Sequence, residues 1–108
     1  MNNRQTSLTL EELEKELEIP QSGYPRCLVV NEIGVIFLES EGKEGEETLI
    51  KLLKSNNPSD RFVAFCYLSS TPQLREKHAS RLEAFKKDVT NKEMVPRAEK
   101  MISAFNAA

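Results

Sequence analysis

Two start signals of the same design, Asn57-Pro58 and Thr71-Pro72, cut the second half of this chain into helices. An Asn or Thr just before a helix accepts the orphan amide hydrogens of its first turn. Proline suits the first helical position, where its missing amide hydrogen is not needed. Around these signals apolar residues return every three or four positions. Leu49, Leu52 and Leu53 face inward on a segment from Glu46 to Ser55. The segment from Pro58 to about Ser69 is apolar nearly all round, which places it centrally. A third segment puts Leu74, His78, Leu82, Phe85 and Val89 on one stripe. A fourth, which Asn91 can cap, carries Met94, Val95, Ala98, Met101, Ile102 and Phe105. Pro96 must lie in its first turn, because proline deeper inside would kink it. Residues 46–105 therefore read as four helices.

The first half is organised differently. Residues 1–7 read as a disordered tail. Residues 8–19 read as an acidic helix. Thr9 caps it, Glu12 reaches back to complete a capping box, and Leu8 and Leu13 form a hydrophobic staple. Glu11, Glu12, Glu14, Glu16 and Glu18 cover its outer face, and Pro20 ends it. Residues 27–38 then read as a β-hairpin: two short apolar runs, Cys27–Val30 and Val35–Leu38, flank Asn31-Glu32-Ile33-Gly34. A buried helix through the same residues is the alternative. Gly34 and the β-branched residues favour the hairpin. The fold class expected is mainly α: antiparallel helical hairpins with one short N-terminal β-hairpin, in a single domain over residues 1–108.

A chain of 108 residues hides roughly two-thirds of its unfolded surface on folding, enough for one core. No apolar run approaches the roughly 20 residues that span a bilayer, and the N-terminus lacks the apolar stretch of a secretory signal. The two cysteines, Cys27 and Cys66, form no Cys-x-x-Cys. They read as buried structural thiols in a reducing, cytoplasmic setting, with a disulfide or a reactive thiol as alternatives. The single histidine, His78, has no second metal-ligating or catalytic partner at helical spacing and reads as a packing residue. No phosphate-cradling glycine loop, nucleophile elbow or calcium loop is present. No enzyme activity, cofactor or metal is expected.

Charge is the unusual feature. Residues 1–50 hold 4 basic against 11 acidic residues, and residues 51–108 hold 11 against 6, so a net of -7 faces a net of +5. Such asymmetry points to an electrostatic partner or to attraction between the halves.

A shift of 36 residues lays residues 46–69 over residues 82–105. It matches Leu49 to Phe85, Leu53 to Val89 and Arg61 to Arg97. That spacing lies in the range of helical-hairpin repeats. Leu52-Leu53-Lys54-Ser55-Asn56-Asn57-Pro58-Ser59-Asp60-Arg61 resembles the end of the first helix and the turn of a HEAT repeat. Arg61, Ala64 and Leu68 fall where that family's second helix shows Arg, a small residue and Leu. Asp60 departs from the family's Val. The resemblance implies an α-α superhelix of stacked helix pairs that offers a surface for partners and no reaction.

The function expected is a small non-enzymatic protein–protein interaction module, monomeric or homodimeric, with no membrane contact. Lys54, Arg61 and Arg97 are the candidate partner-binding residues, lining a groove for an acidic segment. The alternative is nucleic-acid binding by the basic C-terminal half. Against it, Arg75, Lys77, Arg81, Lys86 and Lys87 scatter around their helix, and aromatics are 6% with no Trp. A further reading is a subunit that pairs through the Val35–Leu38 strand edge.

Overall fold

The apolar stretch from Cys27 to Leu38 is a helix and not a hairpin. The computed structural model describes residues 4–107. Among them it forms seven α-helices: α1 (Leu10–Glu18), α2 (Arg26–Glu39), α3 (Glu46–Leu52), α4 (Pro58–Leu68), α5 (Pro72–Lys77), α6 (Ala79–Lys87) and α7 (Met94–Ala107). A 3-10 turn, Val89–Asn91, joins α6 to α7. No strand occurs among the described residues. The mainly α expectation holds, and the β-hairpin is overturned.

The physical reason lies in how many neighbours the stretch must serve. One hairpin has no other strand to pair with and buries one face. As a helix, α2 satisfies its own backbone and turns Val29, Val30, Ile33 and Phe37, each 3% exposed or less, into the core. It packs against α1, α3 and α4. A helix that is apolar all round is a buried helix, and a short β-branched run has the same composition in either state. Gly34 supplies no turn. It lets the ring of Tyr67 on α4 lie against the α2 backbone. With the strand gone, the pairing edge proposed for Val35–Leu38 is gone too.

The caps fall where the side chains place them. Thr9 and Glu12 form the reciprocal capping box of α1. Asn57 accepts the Ser59 amide at the start of α4, and Thr71 accepts the Leu74 amide at the start of α5. Helix α4 packs on α2, α3 and α7, as its apolar surround requires. Full burial of a side chain such as Phe37 or Phe65 contributes about 1.5–3 kcal/mol. The rings of Phe65 and Phe85 stack with centroids 4.6 Å apart and draw α6 onto α4.

Three further expectations change. Residues 72–87 are two helices, because the chain turns at His78, which closes α5 and opens α6. The stripe keeps its phase across that turn, with Leu82 and Phe85 both buried, but α6 ends at Lys87 and the turn at Asp88 leaves Val89 78% exposed. Asn91 is buried in the 3-10 turn rather than capping α7. On α7, Ala98 is buried and Met101 is 57% exposed. The side chain of Phe105 lies outside the described residues.

The N-terminal segment is anchored from Arg4 onward, and Met1, Asn2 and Asn3 lie outside the described residues. Glu32, in the middle of α2, is 1% exposed. It accepts the Gln5 amide at 2.5 Å, the Thr6 amide and the Thr6 hydroxyl, and faces the Arg4 guanidinium at 3.3 Å. Burial would raise its carboxyl, but these donors outweigh burial and hold it below the usual range. Asp60, also buried, takes a two-pronged bond from Arg26 and the Ser55 hydroxyl, tying the start of α2 to the start of α4.

Candidate functional site

Where α3 ends, α4 begins and α6 passes, a groove of about 780 Å³ opens. That size lies within the roughly 300–1,000 Å³ of typical ligand sites. Leu53 and Phe85, 7% and 5% exposed, form its apolar base with Ile50 and Ala84 beside them. Lys54, Arg61 and Arg81 supply three cations along its lining, and Asp88 supplies one anion.

Each cation is placed by local structure. Lys54 follows the last turn of α3 and is exposed. Arg61, in the first turn of α4, donates to the Ser55 carbonyl at 2.8 Å and to Asn91 Oδ1 at 2.9 Å. Asn91 in turn donates to the Phe85 carbonyl at 3.0 Å. Arg61 therefore pins the α3–α4 turn to the connection after α6 and lines the groove there. Arg81 stands one turn into α6, with a guanidinium nitrogen 3.5 Å from His78 Nδ1. Asp88 accepts the hydroxyl and amide of Thr90, which hold its carboxyl below the usual range.

Two of the three sequence-chosen residues, Lys54 and Arg61, meet here. Arg97 does not: it lies exposed on α7, away from the lining. The matched arginines thus sit in unlike surroundings, one clamped between carbonyl and amide, the other on an outer face. Arg81 and Val89 are what the sequence reading missed. The charge pattern sets Arg81 among scattered cations, and the apolar stripe sets Val89 among core residues. Asp88-Val89-Thr90 carried a usable signal, since an Asp that bonds the amide two residues on closes a turn and ends a helix before Val89.

Other polar clusters are structural. His78 is 1% exposed, so its imidazole cannot meet a substrate from solvent. Glu46 Oε2 lies 3.2 Å from His78 Nε2 and 2.7 Å from Lys77 Nζ, at ion-pair distance but without hydrogen-bond alignment. Lys77, first of all, holds the Glu46 carboxyl below its usual range. Among the described residues no group of three or more His, Cys, Asp or Glu side chains could hold a metal ion.

A second groove, of about 260 Å³, runs between α2, α4 and α7 and is lined mainly by Leu38, Phe62, Val63, Cys66, Met101 and Ile102. Its polar atoms serve each other: Tyr67 OH donates to Asn31 Oδ1 at 2.5 Å. Both cysteines are free thiols. Cys66 is half-buried here, whereas Cys27, expected to be buried, is exposed at the start of α2.

No helix among the described residues is long and apolar enough to cross a membrane. Comparison with family models, with curated proteins and with solved structures finds no match to this chain.

Proposed function

We propose that this chain is a non-enzymatic protein–protein interaction module that docks an acidic, amphipathic segment in the α3–α4–α6 groove. The supporting observation is the meeting of Lys54, Arg61 and Arg81 over an apolar base, with Val89 standing 78% exposed between two residues of the lining. Cations at the rim steer an acidic chain in and fix its register, and the apolar base takes a non-polar side chain. The HEAT-like character of residues 46–69 supports the same class, since such units offer surface rather than chemistry. Phe85 is the one aromatic residue in the lining and is buried, which leaves no stacking platform for a nucleobase. The reading includes a reducing, cytoplasmic setting, supported by two free thiols.

The test is fluorescence anisotropy with a short labelled Glu/Leu peptide at low salt. Binding is expected, weakening as salt rises. Lys54→Glu should loosen it about fivefold, because losing an exposed attraction and adding a repulsion sum to about 1 kcal/mol. The mirrored Lys/Leu peptide should not bind. Absence of Glu/Leu binding overturns the reading. Tighter binding of a single-stranded oligonucleotide replaces it with nucleic-acid recognition.

A further inference from the structure

The chain carries its own candidate for the acidic segment. Helix α1 presents exposed Glu11, Glu12 and Glu18, with Lys15 the one cation among its nine residues. Ile19 follows directly and is 61% exposed, an apolar side chain at the end of an acidic ridge. That is the chemistry the groove requires: negative charge for Lys54 and Arg81, and one non-polar side chain for the base of Leu53 and Phe85.

Within one molecule the two surfaces do not meet. Helix α1 packs on α2, and Glu14 accepts the Thr48 hydroxyl of α3, which fixes the ridge on that side. No residue of α1 lines the groove. The net charges of -7 and +5 on the two halves are therefore only partly neutralised internally. Among the described residues, Arg26–Asp60 and the contacts of Lys77 and His78 with Glu46 pair charges across the halves, and none uses an α1 carboxylate.

We infer that the acidic segment taken by the α3–α4–α6 groove is helix α1 of a second copy of this chain, so that copies associate head to tail. This rests on the groove reading above and names its occupant. The contact is heterologous: the patch given and the patch used differ, so each added copy leaves one ridge and one groove open. Association then runs to short chains or a closed ring rather than stopping at a two-fold dimer. It is charge-driven between exposed groups, so it is weak and salt-sensitive.

The experiment is sedimentation equilibrium of the full chain at about 10 mM salt, where the screening length is about 30 Å. The mass-average of the unaltered protein should rise with concentration and fall back toward the monomer in high salt. Two charge variants separate the surfaces. Lys54→Gln with Arg81→Gln removes the groove's pull, and Glu11→Gln with Glu18→Gln removes the ridge's, so neither altered surface gains a charge that could attract the other. Each alone should associate at least about tenfold more weakly than the unaltered chain. An equimolar mixture should give a one-to-one dimer and nothing larger, because one intact ridge meets one intact groove. That recovery also shows that both variants fold.

A monomer at every concentration overturns the inference. If the Glu/Leu peptide still binds in that case, the groove serves a foreign acidic segment and the earlier reading stands; if the peptide also fails, both fall. Association that persists unchanged in both variants, or a mixture that yields no dimer, overturns the head-to-tail docking and moves attention to exposed Met101 on α7.

Discussion

The ring of Tyr67 occupies the space that a side chain at Gly34 would need: a Cβ at that position would stand 2.2 Å from ring carbons Cδ2 and Cε2. This contact sets how closely α2 and α4 approach. Alanine gains about 1 kcal/mol over glycine inside a helix, but overpacking costs about 1–3 kcal/mol, and a clash with ring atoms sits at the upper end. Gly34→Ala should therefore destabilise the fold by roughly 1–2 kcal/mol, read as a lower melting temperature. Pairing it with Tyr67→Leu should recover part of the loss, a coupling expected of residues in direct contact. A melting temperature that rises in the single variant would show that the two helices can slide apart freely.

Thr6 can be tested in the same way. Its hydroxyl and amide both serve the Glu32 carboxylate inside the fold. Thr6→Val keeps the shape and removes the hydroxyl, leaving a buried acceptor short of a donor, at a cost of about 1–3 kcal/mol. Urea unfolding should show the midpoint shifted down with an unchanged slope. An unshifted midpoint would mean that water replaces the hydroxyl.

Acid should weaken the fold in two stages. His78 titrates below its ordinary 6.5, chiefly because burial penalises the imidazolium; Glu46 pulls the other way, and Arg81 and Lys77 deepen the depression. The unfolded chain then binds a proton that the folded chain refuses, so stability declines as pH falls below about 6.5. Glu32 and Glu46 sit below the ordinary 4.5, so their contribution is full above that value and is lost as pH falls through their folded-state values. His78→Gln should abolish the upper stage and leave the lower one, as followed by urea midpoints across the pH range. An upper stage that survives the substitution assigns it to another group.

The two thiols should react at very different rates. Burial pushes Cys66 up to about 11, so at pH 8 roughly one molecule in a thousand carries its thiolate. Cys27 is exposed. A disulfide-exchange reagent at that pH should consume one equivalent quickly and the second only after denaturation. Two fast equivalents would show that the groove between α2, α4 and α7 opens readily.

What could be read from the sequence was local. Thr9 with Glu12, Asn57 with Pro58 and Thr71 with Pro72 act within one turn of chain, so their spacing alone locates three helix starts. The inward leucines of α3 and the central place of α4 follow from periodicity. Helix α2 was illegible because Val29, Val30, Val35 and Ile36 suit a strand as well as a buried helix, and only α1 and α4 on either side decide between them. Gly34 imitates a turn glycine, and its partner Tyr67 lies 33 positions on. Glu32 gave no sign of burial, since its donors come from a segment without pattern. At the groove, Lys54 and Arg61 were reachable because they flank one helix start. Arg81 was not, because only packing brings α6 beside that start, and Val89 was legible only through the Asp88 turn that ends α6 before it.

The clasp on Glu32 joins residues only 26 to 28 positions apart. Both ends are therefore available once α2 has been synthesised, before any residue of α4 exists. The loop so closed needs no residue of α4, whereas the helical state of α2 waits for α4 to pack on it.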